Sequence, residues 1–86
     1  MVKIFAKLTK NHKTVKSTIY QNVNEYKSCD FYTHLTEICR ALDIATPLVI
    51  PHYVESYESF NSVKFSKDDF VDSISFDFLV LENIDR

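Results

Sequence analysis

Asp30, His34 and Glu37 recur at i, i+4 and i+7, so on a helix they would share one stripe. A carboxylate and an imidazole one turn apart are residue types that ligate zinc and related metals. The same spacing also describes a solvated helix flank with an ordinary Asp–His contact. Neither the Cys29/Cys39 pair nor His12 and His52 completes a ligand set. No metal and no cofactor are therefore expected, and Asp30, His34 and Glu37 stand as the weak metal candidates. Cys39 and His34 are five residues apart, which turns them through about 140–150° on a helix and separates a would-be nucleophile from its base. Cys39 reads instead as a small buried side chain, and Cys29 as a half-exposed thiol near a helix N-terminus. No catalytic residue is expected.

Asp68, Asp69 and Asp72 carry hard oxygen ligands suited to Ca²⁺ or Mg²⁺. They also suit the first turn of a short helix, where acids meet the positive end of the dipole. Tyr53, Tyr57 and Phe60 fall at helical spacing, as a core stripe or as a possible aromatic patch for a ligand. The chain has no glycine. That excludes the usual dinucleotide, Walker A, nucleophile-elbow and EF-hand loops, which need glycine for positive φ or close approach. Turns must then rely on Asn, Asp, Ser and Pro.

Charge is divided along the chain. Residues 1–27 hold six lysines against Glu25, whereas residues 66–86 hold Lys67 and Arg86 against six acids. A basic hairpin with Phe5 and Tyr20 on its lysine face has the ingredients of a single-stranded nucleic-acid binder. The pI near 5.8 disfavours that reading, and an acidic C-terminal strand lying beside the basic one would neutralise it.

These side chains need a scaffold, and 86 residues with 45% hydrophobic content fit one α+β domain, residues 1–86. Residues 2–9 alternate, with Val2, Ile4, Ala6 and Leu8 on one face. Residues 14–20 form a second strand, in which Thr14, Lys16, Thr18 and Tyr20 share a face; a turn at 10–13 makes the pair an N-terminal hairpin. Phe31, Leu35, Ile38, Cys39 and Leu42 line a helix that begins near Ser28 or Asp30 and ends near Asp43. Residues 48–50 are extended or a brief strand. Pro51 opens a second helix that ends at 61–62. Residues 63–65 are extended, a capping box over 66–69 starts a short turn of helix to Ser73, and Phe76 to Ile84 is the last strand. The order is β-β-α-(β)-α-β, one sheet of three to four strands with helices mainly on one face.

The first strand with its lysines, Leu35-x-Glu37-x-Cys39-x-x-x-Asp43, Pro47, and Phe65-x-x-Asp68-Asp69-Phe70 leading to Ile74-x-Phe76-Asp77-x-Leu79 give the chain a resemblance to a family of small uncharacterised proteins from anaerobic Gram-positive bacteria. That resemblance implies no activity and carries over no functional residue.

The run Phe78-Leu79-Val80-Leu81 is apolar on both faces, which suits a central strand. Paired with the first strand, it would set Asp77 and Glu82 near Lys3 and Lys7 and leave the second strand at the sheet edge. The expected function is a non-enzymatic protein-interaction module or small homo-oligomer docking through that edge, at Thr14, Lys16, Thr18 and Tyr20, with Lys16 its guard. Thr18→Pro is expected to abolish such docking. A single-stranded nucleic-acid binder is the alternative, and a small metal protein or enzyme the weakest one. Lysines interrupt the first apolar stretch, unlike a secretory leader. No stretch reaches the ~18–20 apolar residues of a membrane span. A cytoplasmic location with no membrane partner is therefore expected.

Overall fold

Alternation along the first strand decides how the chain folds. In the computed structural model, which describes residues 1–71 and 73–85, β1 (Val2–Lys10) buries Val2, Ile4, Ala6 and Leu8, while Lys3, Phe5 and Lys7 stay half-buried on the opposite face. β2 (Lys13–Asn22) returns antiparallel through Asn11 and His12, at φ 53° and 66°. Two successive positive φ values are what the right-handed twist of a two-residue hairpin demands. Asp77 secures this turn: its Oδ2 accepts the Asn11 amide at 2.8 Å and its Oδ1 lies 3.4 Å from Lys67 Nζ. The Asn11 amide and the Lys67 ammonium hold the Asp77 carboxyl below its ordinary range. Asp43 and Asn61, both at φ 58°, end the two helices in the left-handed region. In a chain without glycine, Asn and Asp take three of the four such positions among the described residues, and His takes the fourth.

α1 (Phe31–Leu42) buries Phe31, His34, Leu35, Ile38, Cys39 and Leu42. Asp30 occupies its N-cap position, but no side-chain bond caps the helix; Ser28 belongs to a preceding 3-10 turn, Ser28–Asp30. α2 (Pro51–Phe60) has proline in its first turn, where the missing N–H costs nothing. β3 (Ser62–Ser66), a capped 3-10 turn (Lys67–Asp69) and β4 (Phe78–Asn83) complete the chain.

The four strands form one antiparallel sheet in the order β2-β1-β4-β3. β4 lies inside the sheet, against β1, because Leu79 and Leu81 are fully buried on one face and Phe78 and Val80 half-buried on the other. The buried face of the sheet, with Val63 and Phe65 of β3, joins the apolar faces of the two helices in a single core. No helix among the described residues is long and apolar enough to cross a membrane.

The fourth strand lies elsewhere than between the helices. Residues 48–50 make no ladder: Leu48 is 61% and Ile50 53% exposed, and the flanking Pro47 and Pro51 cannot donate to one. The Leu48 amide donates instead to the Asp69 carbonyl at 2.7 Å. Residues 63–65 supply the strand. The capping box forms as expected, but its turn stops at Asp69; Phe70, Val71 and Ser73 are not helical, and Asp72 lies outside the described residues. β4 starts at Phe78, two residues later than the alternation suggests, since Asp77 is spent on the hairpin turn.

Candidate interaction surface at the sheet edge

β2 ends the sheet order, so one of its long sides has no strand neighbour. Which groups point there follows from β1. The carbonyls of Lys3 and Thr9 accept from Ile84 and Asp77, on the β4 side. In an antiparallel ladder both polar groups of a residue point the same way and alternate along the strand. The odd residues of β1 therefore serve β4 and the even ones serve β2. Lys16, Thr18 and Tyr20, opposite Leu8, Ala6 and Ile4, bond inward to β1. Ser17, Ile19 and Gln21 direct their N–H and C=O groups outward. Thr18 is thus the wrong place for a blocking proline, because proline there deletes a bond within the sheet. Ser17 is the right one.

The side chains divide differently from the sequence reading. Lys16, Thr18 and Tyr20 lie on the helix-covered face. Thr14 lies across from Thr9, out of phase with them, because the register shifts between Leu8 and Thr9. An extra residue, Val15, is absorbed there as a bulge. Lys16 is a poor guard of the edge: its ammonium donates to the Leu42 carbonyl at 2.8 Å, at the negative end of α1. Val15 and Ile19 are 57% and 56% exposed. Beside Lys16 an open groove of about 490 Å³ runs under the hairpin, between Val15, Leu42, Ile44, Ile74 and Phe76.

Tyr20 belongs to a part-buried polar cluster. Its hydroxyl lies 2.8 Å from His34 Nδ1 and accepts from Asn22 Nδ2 at 3.3 Å. The hydroxyl donates to Nδ1 or accepts from it according to the imidazole tautomer. Nε2 is buried without a partner among the described residues. The Tyr26 ring stacks at 6.3 Å from His34 and 5.5 Å from Tyr57, and its hydroxyl donates to Glu58 at 2.8 Å. Burial and Glu58 raise the Tyr26 phenol well above its usual range, and burial pushes Tyr57 up to about 12.

Burial lowers the pKa of His34 from its ordinary 6.5, against a smaller opposing effect of Asp30. The unfolded chain then takes up a proton on this side chain before the folded one does. Stability from His34 is complete above pH ~6.5 and is lost as pH falls toward the folded-state pKa, with a slope approaching about 1.4 kcal/mol per pH unit. Urea denaturation at pH 7, 6 and 5 is expected to show wild type losing more stability than His34→Leu, whose slope lacks this contribution. Parallel loss in the two proteins would refute the assignment.

The other candidates come apart. His34 is buried, Asp30 half-buried, and Glu37 exposed and bridged to Arg40 at 3.1 Å. No cluster of three ligating side chains occurs among the described residues. Asp69 is engaged in the capping box. Cys29 is exposed and Cys39 buried, its thiol pushed up to about 11 by burial. Of the aromatic stripe, Tyr57 is core, Tyr53 packs on Phe65 with centroids 4.8 Å apart, and Phe60 is 74% exposed at the chain reversal. They do not form one patch. The lysine face of the hairpin keeps Phe5 but not Tyr20. Glu82 stands opposite Phe5, on the face that also carries Lys3 and Lys7. Asp77 serves the turn rather than Lys3 or Lys7.

Sequence reasoning missed the Tyr20–His34 pair, although a signal existed. His34 fills the i+3 position of the stripe that starts at Phe31. No family model, curated protein or solved structure matches this chain.

Proposed function

We propose that this protein is a non-enzymatic interaction module whose β2 edge receives an extended segment of a protein partner. The observation that carries this reading is the outward row of Ser17, Ile19 and Gln21 on a strand that ends the sheet. β2 contains no proline, and its lysine at position 16 is bonded to α1 rather than standing over the edge. Such a row adds a strand from outside, with main-chain bonds giving affinity and neighbouring pockets selecting side chains. The groove beside Val15 and Lys16 is such a neighbour.

The test is a display library of extended peptides selected on the protein at low concentration. Peptides bound by wild type are expected to lose about tenfold or more in affinity for Ser17→Pro, which removes an outward donor and keeps every bond to β1. Circular dichroism checks that the variant remains folded. The amides of Ser17, Ile19 and Gln21 should gain protection from exchange, and those of Thr18 and Tyr20 should not change. Binders that hold Ser17→Pro equally well, or an absence of binders, would refute the reading.

A further inference from the structure

Ile19 is exposed in the middle of the outward row of β2, with exposed valines on either side of it, one in the bulge and one in the bend after the strand. Val15 is 57% exposed, Ile19 56% and Val23 87%. Val15 and Val23 stand four positions either side of Ile19. An isologous contact sets residue i of one chain against j of the other and j against i, so antiparallel pairing centred on Ile19 sets this exposed apolar side chain against its own copy. We infer that the edge is filled by a second copy of this chain, with the two β2 strands antiparallel about a twofold axis through Ile19. The inference rests on the edge reading above and adds the partner and its register.

The backbone allows this register. Ile19 directs its N–H and C=O outward, so Ile19 and the partner's Ile19 exchange both hydrogen bonds. Ser17 does the same with Gln21 of the partner subunit. The side chains agree. On the helix-free face Ile19 already stands beside Phe5, and the twofold continues that apolar row into the second sheet. Lys16 comes opposite Asn22 of the partner subunit, so no like charges face each other. A twofold one residue earlier, at Thr18, would set Ile19 against Ser17 of the partner subunit and lose the match. The product is a continuous antiparallel sheet of two four-stranded halves.

Sizing by light scattering and cysteine pairing test the inference together. At about 1 mM the protein is expected to run at roughly twice its 10.1 kDa and to dissociate on dilution, since an interface this small binds weakly. Pairing is read in a Cys29→Ser background, which removes the exposed native thiol. Ser17→Cys and Gln21→Cys proteins, mixed under oxidised glutathione, should form a disulfide dimer. Paired residues of this type have Cα atoms ~5.5 Å apart, within disulfide reach. Neither variant should crosslink alone, because Ser17 and its copy are offset by four residues, about 14 Å along the strand. Both variants leave Ile19 in place.

A dimer that Ser17→Pro dissociates, but whose cysteines pair in another pattern, would overturn this register and leave the edge reading standing. A dimer indifferent to Ser17→Pro would overturn both. A monomer at about 1 mM would overturn the second copy as occupant, and the peptide selection would then decide the edge reading alone.

Discussion

Leu79→Ala should cost about 2–5 kcal/mol, the range for deleting a buried leucine down to its Cβ. Leu79 is fully buried in β4, paired to Leu8 on one side and Phe65 on the other. Both neighbours are themselves buried and held by the ladder, so the sheet cannot close around the missing atoms. The cost therefore includes a cavity as well as the lost transfer energy. Leu35 on α1 is equally buried, and Leu35→Ala should fall in the same range. A domain of this size has about 4–13 kcal/mol of stability in total, so either change removes a large share of it. Val80 is the internal control. It is next in the strand but half-buried on the helix-free face, and Val80→Ala should cost about 1 kcal/mol or less. Chemical denaturation of the three variants gives the comparison. A loss below about 1 kcal/mol for Leu79→Ala would show that the packing described here is wrong.

Much of that packing is legible in the sequence. Alternation along residues 2–8 gives the buried face of β1, and the two-sided apolar run at 78–81 places β4 inside the sheet beside it. Both are period-two signals with nothing competing against them. What local pattern misses is decided by long-range contact. Residues 48–50 are as apolar as a strand, yet Leu48 is tied to Asp69, twenty-one residues away, and two prolines deny it a ladder. Phe60 completes a helical stripe on paper, but Asn61 reverses the chain in the left-handed region immediately after it and leaves the ring in solvent.

The candidate site was legible in part for the same reason. Strand order exposes β2 as the edge, and that follows from polarity alone. Which of its residues turn their backbone outward depends on the phase of the β1 ladder and on a bulge at Val15, neither of which is written in residue types. His34 shows the opposite failure. Its spacing from Phe31, Leu35 and Ile38 fits the apolar stripe, but its polarity assigns it to the solvated flank. Tyr20 resolves the conflict by supplying a hydroxyl from β2 to a ring that would otherwise be buried without any hydrogen bond.

Asp69 should be a costly polar side chain to remove, because its carboxylate joins the end of β3 to α2. Its Oδ2 accepts from the Ser66 amide at 2.8 Å and the Ser66 hydroxyl at 3.3 Å, closing the capping box that ends β3. Its Oδ1 accepts from the Tyr53 hydroxyl at 2.5 Å, so the same carboxylate holds α2. Its carbonyl accepts from Leu48 and fixes the segment between the helices. Hydrogen bonds to a charged acceptor contribute about 1.5–3 kcal/mol, and Asp69→Ala should lose that amount. The backbone bond to Leu48 survives the substitution. Tyr53→Phe removes one arm and should cost about 0.5–1.5 kcal/mol. The double variant should cost clearly less than the sum, since both singles break the same bond. A spectroscopic reading separates this account from a general loosening. The hydrogen bond to Asp69 raises the Tyr53 phenol above its ordinary value of 10.0. In Asp69→Ala the ultraviolet titration of Tyr53 should move back toward that value while far-ultraviolet dichroism stays native. Additive losses, or an unmoved Tyr53 titration, would mean that the carboxylate does not link α2 to the end of β3.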